Sequence, residues 1–230
     1  MSASALATNS RRFDASDKLL LVVSLACGVA YLLARSLEPY TGNVIVKAFS
    51  VSPLALLAFH LLRNREGLIL GASLLFSSLG DVFLAVDGEK LFVFGLGSFL
   101  IAHLLYVALF ARNWPKPLTA SKAQKLLVAL LTIYSAAMLV WLWPSLGSLG
   151  LPVAVYLCAI TAMGVAATLA DFQTRWIVTG AVLFILSDSL IAIGKFKTPI
   201  AAGDYLVWGT YYLGQLLIAV GFLREKMRIE

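Results

Sequence analysis

Two aspartates stand inside long apolar stretches of this chain. Asp81 and Asp188 are each surrounded by Leu, Ile, Val, Phe, Ala and Ser. A carboxylate within a membrane-spanning helix costs about 2.5–3.5 kcal/mol to insert, so such a residue usually has a partner or a function. The two carboxylates are therefore the predicted catalytic residues. The alternative is that each Asp holds neighbouring helices together through hydrogen bonds, with adjacent serines helping.

A second group of polar residues has the spacing of helix faces directed at the same place. His103 and Tyr106 are three residues apart, Tyr211 and Gln215 are four apart, and such pairs share a face. We predict that this group binds or positions a substrate. It comprises Lys47, Ser77, His103, Tyr106, Tyr156, Ser187, Lys195, Tyr211, Tyr212 and Gln215. Taken singly, a Tyr at the interface, a Lys anchor or a Gln between helices explains each of them equally well.

Several other chemistries are excluded by residue types. The sequence has two histidines, His60 and His103, so it cannot supply a three-histidine zinc site. It has neither a Gly-rich phosphate loop nor a Gly-x-Ser-x-Gly elbow. Cys27 and Cys158 lie in separate apolar runs, where we expect buried thiols. We predict no metal and no cofactor.

The surrounding sequence is that of a membrane protein. Of the 230 residues 60% are hydrophobic and 13% are charged, whereas soluble domains carry about 25% charged residues. A spanning helix needs about 20 mostly apolar residues. Eight runs qualify, and they predict an all-α, polytopic fold with eight transmembrane helices. The predicted spans are 19–34, 44–62, 68–86, 91–110, 126–143, 151–170, 176–194 and 205–223.

The distribution of basic residues predicts the orientation. With both termini inside, the inner segments carry 13 Lys and Arg and the outer ones 5, as the positive-inside rule requires. We expect a polar tail at 1–18, a membrane domain at 19–223 and a basic tail at 224–230. Both termini are predicted to be cytoplasmic, in the inner membrane of a bacterium or the endoplasmic reticulum of a eukaryote. The basic residues form no continuous face, so nucleic acid is not a predicted partner.

The two aspartates also stand in similar surroundings. Residues 74–85 and 182–192 each carry an Asp after an apolar stretch, with an Ala four residues later. The resemblance suggests a four-plus-four repeat in which both halves have the same orientation. Both aspartates are then expected about five residues from the outer ends of their helices, at similar depth.

At these residues the sequence resembles the YhhN-like family of membrane proteins, whose characterised animal members are lysoplasmalogenases (alkenylglycerol hydrolases). The matching segments run in family order over residues 44–223. They are FSSLGD at 76–81, Gly95 with Phe99, His103 and Tyr106, PVAVY at 152–156, LSD at 186–188 with Ala192, Lys195 and Phe196, and TYY at 210–212 with Gln215. The resemblance implies eight spans and a site built on Asp81 and Asp188.

The activity that this resemblance implies is hydrolysis of a vinyl ether in a lysophospholipid within the membrane. Protonation of the vinyl carbon gives an oxocarbenium ion, as in glycosidases that use two carboxylates. One Asp would donate the proton while the other stabilises the cation or activates water. A proton-coupled transporter of lipids or small molecules would use the same Asp pair and is the alternative function.

Overall fold

The described part of the chain forms eight α-helices. The computed structural model describes residues 13–38, 42–86 and 89–229, and no strand occurs in these segments. The helices are α1 (Ala15–Leu33), α2 (Asn43–Leu61), α3 (Arg65–Ala85), α4 (Glu89–Ala111), α5 (Lys122–Leu142), α6 (Gly150–Leu169), α7 (Trp176–Phe196) and α8 (Gly203–Ile229). Short 3-10 helices at Arg35–Leu37, Trp143–Ser145 and Gly147–Leu149 continue the connections after α1 and α5.

Each of the eight helices is long and apolar enough to cross a membrane. The predicted all-α fold with eight spans is thus confirmed. Polar caps fix several starts: the Asp14 side chain accepts from the Asp17 amide before α1, and Asn64 accepts from the Gly67 amide before α3. The caps place the start of α1 four residues before the apolar run, and α8 extends through most of the expected basic tail. Residues 1–12 of the expected N-terminal tail lie outside the described residues.

Six helices form a closed ring, and two helices pack outside it. In the ring each helix packs against the next in the order α2, α3, α4, α6, α7, α8 and back to α2. Helix α1 packs on α2 and α8, while α5 packs on α6 and, more lightly, on α7. Short connections make successive helices run in opposite directions. The site end of the bundle is defined here as the end where α1, α3, α5 and α7 finish.

The neighbour pattern has the symmetry that a four-plus-four repeat would produce. The α2–α3 contact corresponds to α6–α7, α3–α4 to α7–α8, and α4–α6 to α8–α2. The two outer helices correspond in their main contacts, α1 with α2 and α5 with α6, but not in their weaker ones, which α1 makes with α8 and α5 makes with α7. Helices α3 and α7, which carry the two aspartates, therefore hold equivalent places in the ring, as expected for a repeat.

Two glycines set the contact between α7 and α8. A Cβ atom added at Gly180 would lie 2.6 Å from the Gly214 carbonyl oxygen, and one at Gly214 would lie 2.9 Å from the Gly180 carbonyl oxygen. Small residues let helix backbones approach in membranes. The glycines fix α7, which carries Asp188, against α8, which carries Tyr211.

The outside of the bundle is apolar, as a lipid-facing surface must be. Leu33, Val140 and Leu151 are each 73% exposed. Cys158 also lies on this surface and Cys27 is half-buried, so the expectation of two buried thiols is wrong. The reason is that a helix in lipid can turn apolar residues outward as readily as inward.

Candidate active site

Asp81 is the centre of a buried ion pair. Its Oδ1 lies 3.6 Å from Lys47 Nζ, and Tyr211 donates its hydroxyl proton to Oδ2 over 2.6 Å. The carboxylate is 3% exposed and the Lys47 side chain 13%. Lys47 Nζ also lies 5.7 Å from the centre of the Tyr31 ring and 5.8 Å from that of Trp208. These aromatic faces add cation–π attraction, so Lys47 is held in place from three sides.

Asp188 is the centre of a different polar cluster. Tyr156 donates a short hydrogen bond to Asp188 Oδ2, and His103 Nε2 lies 2.9 Å from the same Tyr156 hydroxyl oxygen. The Tyr156 proton is directed at Asp188, so His103 Nε2 must carry the hydrogen of the second bond. Asp188 Oδ2 is also 3.7 Å from His103 Nε2. His103 is fully buried, while the Asp188 side chain keeps 14% of its surface exposed.

The two clusters are built in the same way from opposite halves of the chain. Asp81 of α3 meets Lys47 of α2 and Tyr211 of α8. Asp188 of α7 meets residues of the equivalent helices α6 and α4. Each carboxylate is thus bound by the second helix of its own half and the fourth helix of the other half. The partners differ chemically: an ammonium group faces Asp81, and a Tyr–His pair faces Asp188.

Two aromatic rings separate the clusters. Phe184 packs against His103 with ring centres 4.8 Å apart and against Tyr211 at 5.2 Å. Phe99 contacts both Phe184 and Tyr211 edge-on. The clusters are neighbours, but no direct hydrogen bond joins the two aspartates.

The aspartates stand at different distances from the ends of their helices. Asp81 is four residues before the end of α3 and Asp188 is eight residues before the end of α7. At 1.5 Å per residue these positions are about 6 and 12 Å from the helix ends. Helix α7 thus continues further past its aspartate than the apolar run indicated, and the similar depth of the two aspartates in a membrane stays a prediction.

Asp188 lies on the wall of an apolar cavity. The space between the surrounding atoms amounts to about 730 Å³, part of which is open to the outside, and it lies in the half of the bundle nearer the site end. It is lined from α4, α5 and α7 by Phe92, Met138, Leu142 and Phe196. Asp188 and Tyr156 form a polar patch on this otherwise apolar wall. Asp81 is not among the lining residues. A chain of methylene groups suits such walls, and the carboxyl group could reach a reactive bond within that chain.

Two lysines stand at the site end of the bundle, close to this cavity. Lys195 Nζ lies 4.1 Å from the ring centre of Phe92, which is a lining residue. Lys197 Nζ lies 5.5 Å from the ring centre of Trp141 on α5. A cationic rim around an apolar cavity matches an anionic amphiphile. Lys195 is thus near the site but does not contact Asp188.

The remaining predicted residues fall into two sets. Tyr106 donates to Gln215 Oε1 over 2.7 Å, and Ser77 is fully buried one turn before Asp81, so these three lie between the clusters. Ser187 donates to the Val207 carbonyl, and Tyr212 pairs with Ser24 at 2.9 Å. The last two side chains hold helices together and do not contact either aspartate.

Helix α1 supplies contacts that sequence reasoning missed. The Trp208 indole donates to the Gly28 carbonyl, and Tyr31 packs on Trp208 with ring centres 4.4 Å apart. Together these residues enclose Lys47. The sequence did contain one indication of these contacts. Ser24, Gly28 and Tyr31 are spaced four and three residues apart, which places small and polar residues on one face of α1.

The positions of acidic and histidine side chains show where ligand atoms for a metal ion converge. Among the described residues, the one group of three acidic or histidine side chains with converging ligand atoms is Asp14, Asp17 and His60, at the opposite end of the bundle. There Asp17 Oδ1 already pairs with His60 Nδ1 at 2.8 Å, and Asp14 caps α1. Asp81 is instead paired with Lys47 and Tyr211, and Asp188 with Tyr156 and His103, so neither aspartate belongs to a described group of three such ligands.

Comparison with known proteins gives a family match and several similar proteins. The YhhN family profile matches residues 42–222, which include every predicted site residue. "Lysoplasmalogenase" of Mycobacterium bovis is 37% identical over 216 residues, covering 87% of this chain and 82% of that protein. "Lysoplasmalogenase TMEM86A" of Bos taurus is 30% identical over 230 residues, covering 93% and 91%. The human "Lysoplasmalogenase TMEM86B" is 32% identical over 161 residues, covering 69% and 65%.

No solved structure matches the chain. The family match spans seven of the eight helices, from α2 into α8, and the bovine relative extends over nearly the whole sequence. The chain belongs to the YhhN family.

Proposed function

We propose that this protein is an intramembrane hydrolase that cleaves the vinyl ether bond of lysoplasmalogens or of a closely related lysolipid. The observation that carries the proposal is the apolar cavity with Asp188 and Tyr156 on its wall. The names of the mycobacterial and mammalian relatives support the same reaction class. The products are a fatty aldehyde, which partitions into the bilayer, and a glycerophospho head group, which leaves into water.

The substrate lies with its hydrocarbon chain in the cavity and its phosphate at the rim. Lys195 is seven residues after Asp188, about 10 Å along the helix axis. A lysine side chain can bend back toward the site, so a phosphate near Lys195 and Lys197 leaves the vinyl ether at the level of Asp188. Neither lysine has a carboxylate partner within 4 Å among the described residues.

Asp188 acts as the acid because it is the carboxyl group that reaches the cavity. In its protonated form it donates the proton to the β-carbon of the vinyl ether, and the π electrons move to give an oxocarbenium ion. Asp188 is then a carboxylate, stabilises the cation and takes a proton from the attacking water. The resulting hemiacetal breaks its other C–O bond, the hydroxyl proton passes to the leaving oxygen, and the aldehyde is released. One water is consumed and no electron is transferred.

Tyr156 and His103 position this acid. The Tyr156 hydroxyl points at Asp188 Oδ2, so the other oxygen of the carboxyl group is left for the substrate. Asp81 remains ionised beside Lys47 and contributes a fixed negative charge near the developing cation. The two carboxylates thus have different tasks, set by their partners.

The site end is proposed to face the outer leaflet. This orientation follows from the excess of basic residues at the opposite end, and it places both termini in the cytoplasm. The lysines of the rim then lie at the level of the outer head groups.

The experiment is aldehyde release from a lysoplasmalogen by purified protein in detergent. Asp188→Asn and Asp81→Asn should each abolish release while thermal stability is kept, because Asn can neither donate an acidic proton nor carry negative charge. Asp171→Asn, an exposed aspartate at the opposite end, is the matched control and should retain activity. If the two carboxylates act as a unit, the double variant loses little more than either single variant.

Two results would contradict the proposed hydrolysis. If wild-type protein releases no aldehyde but accumulates the lipid in sealed vesicles, the Asp pair serves a carrier and the hydrolase is wrong. If Asp188→Asn keeps near-normal turnover with intact folding, this carboxylate is a helix contact and the acid is another group.

A further inference from the structure

Three fully buried side chains in the core carry a polar atom without a hydrogen-bond partner. They are the hydroxyl oxygen of Ser77, Nδ1 of His103 and Nε2 of Gln215. All three residues are 0% exposed. Buried polar atoms are nearly always paired with protein or with ordered water, because an unpaired one loses its hydration without compensation. Three such atoms in one region therefore indicate a polar ligand.

The three atoms lie where the polar connection between the two aspartates is interrupted. Gln215 is one turn after Tyr211, the partner of Asp81, and its Oε1 accepts from Tyr106. Ser77 is one turn before Asp81 on the facing helix α3, so Ser77 and Gln215 lie at the same level, just deeper than the Asp81–Tyr211 bond. Tyr106 is three residues after His103, whose ring leads through Tyr156 to Asp188.

The unpaired atoms complement one another as partners of water. Gln215 Nε2 is a donor, and His103 Nδ1 is an acceptor because Nε2 carries the hydrogen. The Ser77 hydroxyl can do either. A buried water molecule typically makes about three hydrogen bonds. If the Gln215 side-chain amide is flipped, its oxygen lacks a hydrogen-bond partner instead of its nitrogen. One atom of the amide group therefore needs a partner in either orientation.

The other half of the chain lacks this arrangement. The position equivalent to Ser77, four residues before the second aspartate, is occupied by Phe184, which fills its space with a ring. Ser73, one turn earlier on α3, is equally buried but donates to the Ile69 carbonyl of its own helix. Ser77 thus has an unpaired hydroxyl group, whereas Phe184 at the equivalent position has no polar side-chain atom and Ser73 is paired.

We infer that ordered water is bound between α3, α4 and α8 by Ser77, His103 and Gln215, and that it joins Asp81 and Asp188 in one hydrogen-bonded network. This role rests on the proposed hydrolysis. The water donates to His103 Nδ1, His103 Nε2 donates to Tyr156, and Tyr156 donates to Asp188, so protons exchange along this path. Asp81 keeps its negative charge beside Lys47. Ser77 and Gln215 are then positioning residues.

Hydroxyl-radical labelling by X-ray pulses tests for the water without any substrate, because buried water makes radicals inside the protein. Phe184 and Phe222 are both 0% exposed, but Phe184 adjoins His103 and Tyr211, whereas Phe222 packs with Phe172 far from the site. Phe184 should be oxidised several-fold faster than Phe222. Gln215→Leu and Ser77→Ala should each lower the Phe184 rate, and the control Ser73→Ala should not. Equal rates for the two phenylalanines in wild-type protein would refute the inference.

A kinetic measurement then tests the relay. With lysoplasmalogen as substrate, Ser77→Ala and Gln215→Leu should slow aldehyde release about tenfold, which corresponds to the loss of one hydrogen bond. The turnover rate of wild-type protein, plotted against the deuterium fraction of H₂O/D₂O mixtures, should follow a curve, because several protons move together. The same plot for the variants should be a straight line, because only one proton then moves. A curve unchanged by both substitutions would refute the relay.

The two proposals fail separately. If Phe184 labels rapidly and wild-type protein releases no aldehyde, the water site stands and the hydrolase is wrong. If aldehyde is released and Phe184 labels no faster than Phe222, the hydrolase stands and the water site is wrong.

Discussion

The Tyr156 hydroxyl offers the sharpest probe of how Asp188 is positioned. It donates to Asp188 Oδ2 and accepts from His103 Nε2, so Tyr156→Phe removes two hydrogen bonds and keeps the ring. A hydrogen bond to a charged group contributes about 1.5–3 kcal/mol. Since about 1.4 kcal/mol changes a rate tenfold, kcat/KM for lysoplasmalogen should fall roughly 10- to 150-fold. Folding should suffer as well, because His103 loses the partner of Nε2.

The assay follows aldehyde release at saturating and limiting substrate. The loss should appear mainly in kcat, because the hydroxyl orients the acid and does not bind the hydrocarbon chain. Tyr134→Phe is the matched control, since Tyr134 is a half-buried tyrosine of α5 that packs against the core away from both aspartates. A Tyr156→Phe protein that is folded and retains kcat/KM within about twofold of wild type would show that Asp188 is oriented without Tyr156, against the expected energy of such a bond.

Three further results are expected. Ala192→Phe adds a ring inside the cavity and should raise KM for long-chain lysoplasmalogens much more than for short-chain ones; equal effects on both would show that the chain binds elsewhere. Activity should persist in EDTA, because the donor set around each aspartate does not suit a metal; loss in EDTA with recovery on adding a divalent cation would contradict the two-carboxylate mechanism. In a variant with Cys27 and Cys158 replaced, a single cysteine placed at Lys195 should react with an impermeant maleimide from outside intact cells, and one at position 230 should not; the reverse pattern would invert the proposed orientation.

Much of the fold follows from the sequence, because each helix in a membrane must satisfy its own backbone and be apolar for about 20 residues. Those requirements are local, so eight spans could be predicted within a few residues. The partners of the aspartates were not predictable in the same way. That Asp81 meets Lys47 and Asp188 meets Tyr156 depends on the order of helices around the ring, which no local pattern records.

The position of the two phenylalanine rings between the clusters could not be predicted from sequence either. Phe99 and Phe184 are ordinary apolar residues in sequence, yet they separate the clusters and leave only Asp188 on the cavity wall. The contribution of α1 could not be predicted from sequence either. Ser24 and Gly28 have a role only because Tyr212 and Trp208 of α8 pack against them.

The cavity is enclosed by two helices that are held very differently. Helix α7 is fixed to α8 by backbone contact at Gly180 and Gly214, whereas α5 buries only Leu131, Ser135 and Leu142 and packs chiefly on α6. Met138 and Leu142 of α5 line the cavity, so we expect α5 to be the wall that moves when a lipid chain enters. Displacing α5 pushes on the surrounding acyl chains. Turnover should consequently depend on the lateral pressure of the bilayer, and the enzyme would respond to how tightly its host membrane is packed.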